Sequence, residues 1–111
     1  MLSIATFRKM ALSFEGTTEA PHFDLTSFRV NKKIFATLHI QKQRATVKLS
    51  VKDQDLFCLY DKTVMYPVPN KWGGHGWTHI NLKTIKKEMC ADALAAAYHD
   101  ATMQKISRRD K

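Results

Sequence analysis

The sequence predicts an α+β domain, two layers deep, with helices on one face of a mostly antiparallel sheet. Three observations carry this. Ile4, Phe7, Met10, Ala11 and Phe14 recur at helical spacing near the start. Residues 45–51 alternate, with Ala45, Val47, Leu49 and Val51 to one side and Thr46, Lys48, Ser50 and Lys52 to the other. Near the end, Met89, Ala93, Leu94, Ala97, Tyr98 and Ala101 form a second helical stripe. The predicted order is helix, three strands, helix, two strands, helix.

Taken in order, residues 3–13 form the first helix, with Ser3 placed to cap it and an end near Glu15 and Gly16. A polar loop containing Pro21 follows. Residues 27–30 make a short strand, and Asn31-Lys32-Lys33 a tight turn. Residues 34–40 make the second strand, with Ile34, Ala36, Leu38 and Ile40 on one face and Phe35, Thr37 and His39 on the other. Residues 41–44 turn into the alternating third strand. A short helix over 53–60 directs Leu56, Leu59 and Tyr60 inward. A strand over 63–66 stops at Pro67, and one over 77–82 puts Thr78, Ile80 and Leu82 on one face, with His79 sharing the other with Trp77. Thr84 is the expected cap of the last helix, whose alanine-rich face permits close packing on a sheet. Residues 1–104 read as one domain, with 105–111 a basic, frayed tail.

The 111 residues suit one domain that buries roughly 65% of its unfolded surface. No apolar run approaches the ~20 residues of a membrane span, and residues 1–9 lack a signal-peptide core. Cys58 and Cys90 are isolated and read as small core residues of a reduced, cytoplasmic protein.

Charge is the clearest functional signal. Of 18 basic and 10 acidic residues, the stretch 25–52 holds seven basic side chains (Arg29, Lys32, Lys33, Lys42, Arg44, Lys48, Lys52) and no acid. A one-signed patch attracts a polyanion, and Lys32, Lys33, Lys42 and Arg44 fall on the predicted hairpin turns. Arg29, Lys48, Lys52 and Lys71 flank them, and Trp72 could stack on a base. Contacts to about five phosphates would give a log–log salt slope near −4.5. A merely solvated basic face, with Trp72 and Trp77 as lids on the core, fits the same residues.

Catalytic and metal chemistry find little support. His75 and His79 are four apart, but in a glycine-rich loop and a strand, where that spacing does not place two ligands on one helix face. Cys58 has no partner motif, no Gly-x-Ser-x-Gly turn is present, and Asp53 and Asp55 read as helix-start charges. No Walker lysine and hydroxyl follow Gly73-Gly74-His75-Gly76. The reading is therefore a non-enzyme with no metal or cofactor. Two further readings are a protein-interaction module with an apolar surface near the tryptophans and a small-ligand pocket at Trp72, Trp77 and His79.

Several segments together resemble the MmcQ/YjbR family of small bacterial proteins. They are Phe7-Arg8-Lys9, Leu12-Ser13-Phe14, Thr18-Glu19, Pro21-His22-Phe23, the run from Ser27 to Ala36, the run from Tyr66 to Gly73, Gly76-Trp77-Thr78 and Asp92-Ala93-Leu94. The resemblance implies the same helix and strand order, shaped like secretion chaperones and frataxin, and DNA binding through a double wing of hairpins. DNA is thus favoured over RNA, with a monomer or weak dimer and no membrane partner. The iron that a frataxin-like shape suggests lacks its carboxylate cluster here. Gly73-Gly74-His75-Gly76 between two tryptophans departs from the commoner pattern of a basic residue and a histidine before a single tryptophan.

Overall fold

Ser3 caps the first helix as its position predicts. Its hydroxyl accepts the Thr6 N–H at 3.1 Å, and α1 (Ile4–Leu12) buries Phe7 and Ala11. The structure, a computed structural model, describes residues 2–109, and side chains of residues 2–103.

Where a polar loop was expected, the chain makes an edge strand. β1 (Thr18–His22) pairs antiparallel with β2 (Leu25–Val30), from Thr18 opposite Arg29 to His22 opposite Leu25. An edge strand pairs on one side only, so it tolerates Pro21 and needs little burial. Its residues are mostly exposed, which is why the alternation that marks a strand is missing. Arg8 of α1 grips the Glu19 carboxylate with two bonds of 3.0 and 3.1 Å.

β3 (Lys33–His39) and β4 (Arg44–Lys48) complete a meander. After α2 (Val51–Tyr60), strands β5 (Met65–Pro67) and β6 (Trp77–Asn81) extend it in the order β1-β2-β3-β4-β6-β5. All pairings are antiparallel. The last helix, α3 (Lys87–Arg109), packs on β2, β3 and β4, with α1 beside it. Cys90, Ala93, Leu94, Ala97 and Ala101 form its buried stripe, and Tyr98 stacks on Phe14 at 4.8 Å. The α+β two-layer class stands, with one strand more than expected.

Four local differences have physical causes. The β2–β3 register shifts, Phe28 pairing with Ala36 but Arg29 with Ile34, which leaves Phe35 as an extra residue. That bulge buries Phe35 and Ala36 together and turns Ile34 to the opposite face; Ile40, beyond the strand end, is exposed. β4 stops at Lys48 because Ser50 caps α2 by accepting the Asp53 N–H at 3.1 Å, so Val51 and Lys52 lie on a helical turn. In α2 the expected inward residues Leu56, Leu59 and Tyr60 are exposed, while Gln54 and Cys58 are buried. The Gln54 amide donates to the Gly73 carbonyl at 2.8 Å and lies 3.2 Å from both the Trp77 carbonyl and the Thr78 hydroxyl. These carbonyls also accept from the Gly76 and Val68 N–H groups at 3.1 and 3.0 Å, so the buried amide adds a second bond to each and is itself satisfied. Finally, Thr84 sits in a turn and α3 starts at Lys87. The helix runs on to Arg109 through the predicted tail, whose side chains, with residues 110–111, lie outside the described residues.

Both cysteines are buried and unpaired, and burial pushes the Cys90 thiol up to about 12. Burial, with the neighbouring Asp55 charge, also raises the Cys58 thiol, so neither is held as a nucleophilic thiolate. No described helix is long and apolar enough to cross a membrane.

Candidate functional site

Directly opposed residues share a side of the sheet, so the register shows what the face away from the helices carries. Ala20, Ser27, Thr37, Thr46, His79 and Tyr66 make one row across all six strands. Lys48 and Trp77 belong to the next row on one side, and His39, Arg44 and Asn81 to the next on the other. Strands β2 to β6 contain no aspartate or glutamate.

A groove of about 410 Å³ crosses this face. Leu25, Ile34, Val68, Trp72 and Trp77 supply its apolar walls, and His22, Thr37, Thr46 and His79 its polar positions. Trp72 is 52% exposed, yet its backbone is firmly held. Its N–H donates to the Asn70 side chain at 2.9 Å, and its carbonyl accepts from His75 at 3.0 Å and Trp77 at 3.2 Å. Lys71 lies over its ring, 5.7 Å from the centroid. Of the two tryptophans expected as lids, Trp77 is half-buried and Trp72 stands at the rim.

The predicted basic residues do not form one surface. Successive turns of a meander lie at opposite ends of the strand between them, so the Asn31–Lys32 turn and the 40–43 turn are separated by the length of β3. Arg29, Lys32, Lys33 and Lys48 share a cleft at one end with Ile34 and Trp77, and Asp100 of α3 also lines it. Lys71 and Trp72 belong to the loop at this same end. Lys42 and Arg44 lie at the other end beside Tyr66, Asn81 and Lys83. The Arg44 Nε is buried there, without a hydrogen-bond partner among the described residues. Lys52, exposed on the first turn of α2, lines neither cleft.

Lys83 was missed from the sequence, and so was a second acid-free stretch, residues 62–87. Pairing of β4 with β6 sets that stretch beside the first. Among the described residues, no group of three or more His, Cys, Asp or Glu side chains is placed to hold a metal ion.

The family model for YjbR matches residues 12–100. The chain belongs to the YjbR family. The YjbR fold is also seen in the crystal structure of Deinococcus radiodurans protein DR2400, described with the family-model domain DUF419. That structure aligns with a TM-score of 0.80 at 17% identity, over 92% of this chain and 80% of its own. At that identity the likeness speaks for the fold alone. No curated protein sequence matches this chain.

Within the groove of this YjbR chain, the surroundings of His79 change its chemistry. Its Nδ1 is 2.8 Å from the Thr46 hydroxyl, and the Tyr66 ring meets its edge at 5.5 Å. Burial, then the charges of Arg44 and Lys42, lower its pKa from 6.5 to about 4. The ring is therefore neutral at pH 7, a hydrogen-bonding group and not a cation. The unfolded chain protonates it near 6.5, so between the two values the unfolded state binds more protons and stability rises with pH. The contribution is complete above about pH 6.5 and is lost as pH falls to about 4. Since His79 is only half-buried, screening reduces it to about 1–2 kcal/mol. Thermal melts across this window should show the parent losing several degrees more than His79→Gln on acidification. Parallel losses in the two proteins would contradict this.

Proposed function

We propose that the open face of the sheet binds nucleic acid, with phosphates held at its two basic ends. The carrying observation is the β4–β6 pairing, which joins two acid-free stretches so that cations stand at both ends and no carboxylate stands on the strands between. Phosphate contacts supply affinity and register without requiring a particular sequence. The exposed stacking surface of Trp72 supports the same reading.

A salt titration tests it. With about five phosphates engaged, log K against log salt should fall with a slope near −3.5 on a mixed-sequence single strand and −4.5 on a duplex. A slope near zero, or no binding at low salt, would overturn the proposal.

A second reading, a protein partner, is favoured by α2. Leu56, Leu59 and Tyr60 are exposed on its surface, and through Gln54 this helix is tied to the tryptophan loop.

A further inference from the structure

The phosphate-binding reading leaves unused the apolar groove between the basic ends, and the groove narrows the class of ligand. We infer that the ligand is a single strand with unstacked bases, its bases lodged against Trp72 and Trp77 and its phosphates at the two ends. This rests on the open-face reading above and deepens it.

Spacing is the first argument. On one side of a strand, residues recur about every 7 Å, so the rows of Lys48, Thr46 and Arg44 span roughly 13 Å. The middle row carries Thr46 and His79 and no lysine or arginine, so a strand whose phosphates are held at both ends must lay the nucleotides between them across the groove.

Groove chemistry is the second. The walls are Leu25, Ile34, Val68 and two indoles, surfaces that gain from the flat faces of bases. A duplex hides those faces in its stack and offers only edges and phosphates, leaving the groove wet. Thr46 and neutral His79 can bond base edges without demanding a charge. Ligand charge is instead met at the ends, by Arg29, Lys32 and Lys48 on one side and Lys42, Arg44 and Lys83 on the other. The hydrogen bonds that fix the Trp72 backbone keep the ordering cost on binding small.

The test compares three labelled ligands at one low salt concentration: oligodeoxythymidylate, an abasic strand with the same number of phosphates, and a duplex of equal length. Fluorescence anisotropy gives affinity, and intrinsic tryptophan fluorescence reports stacking. The thymidylate strand should bind at least about tenfold more tightly than either of the others and quench the tryptophans. Trp72→Ala should lose that preference, and Trp72→Phe, which keeps a stacking face, should retain most of it. Equal affinity for thymidylate and abasic strands, or tighter duplex binding, overturns this inference while the salt slope still supports phosphate binding. Failure of all three ligands to bind overturns both.

Discussion

Gly76→Ala is expected to lower folding stability by about 4 kcal/mol or more, in urea or guanidinium unfolding followed by far-UV circular dichroism. Two independent costs meet at this residue. Its φ of +100° is a conformation that only glycine adopts freely, worth about 1–3 kcal/mol to any other side chain. A methyl group built there would also overlap the Leu49 carbonyl oxygen, with the carbonyl carbon only 3.0 Å away. That obstacle is backbone at the fully buried Leu49 and cannot swing aside. Moving it would break the bond from the Leu49 N–H to the Gly76 carbonyl at 3.0 Å, which the Thr78 hydroxyl shares at the same distance. Gly73→Ala meets the Val68 carbonyl in the same way and should also be damaging. Gly74, where an added methyl group would meet nothing within 4 Å, is the control. Gly74→Ala should be neutral or stabilise by up to about 1 kcal/mol. A Gly76→Ala protein within about 1 kcal/mol of the parent would show that the loop does not need the conformation described.

This loop also shows what could be read from the chain and what could not. Its density of proline, glycine and tryptophan marks a shaped segment, but not the partners that require the shape. Gly73 faces Val68 within the loop, but Gly76 faces Leu49 through a tertiary approach that local pattern does not encode. Helical stripes and the alternation through Leu49 were legible because each reports a single buried side. β1 was not legible, since an edge strand held by one neighbour needs no hydrophobic period. α2 failed for the opposite reason. Its apolar residues suggest an inner face, but the side that packs inward carries Gln54, bonded to the tryptophan loop, and Cys58, so Leu56 and Leu59 turn outward.

For the candidate site, charge was legible as a run and misleading as a place. Lys32 and Lys42 are ten positions apart, and both are turn residues, so they read as neighbouring tips. A meander sends alternate turns to opposite ends, and that follows from topology alone. Lys83 and His79 come from another acid-free run, whose position beside β4 depends on β6 inserting between β4 and β5. That strand order is a long-range choice with no local signature.

Reversing charge at both ends should weaken nucleic-acid binding about a thousandfold at about 0.1 M salt, and the pattern of single-end losses is the sharper result. Lys32→Glu with Lys48→Glu reverses two charges at one end, and Lys42→Glu with Lys83→Glu two at the other. Each pair should cost roughly ten- to a hundredfold and reduce the salt slope by about two. Arg44 is left intact, because its partly enclosed guanidinium could perturb folding if reversed. The ends are roughly 13 Å apart by strand rise, beyond the ~10 Å Debye length at 0.1 M salt. Their losses should therefore add in free energy and multiply in affinity. Lys52→Glu carries an equal change of charge per residue on the surface of α2 and should alter affinity less than about twofold. If Lys52→Glu weakens binding as much as either pair, only net charge matters and no site exists on the sheet. If one pair carries the whole loss, the ligand occupies a single end and does not cross the groove. Multiplicative losses with an inert Lys52→Glu require a ligand that touches both ends at once, and the face between them, with its tryptophans and no carboxylate on its strands, connects the two.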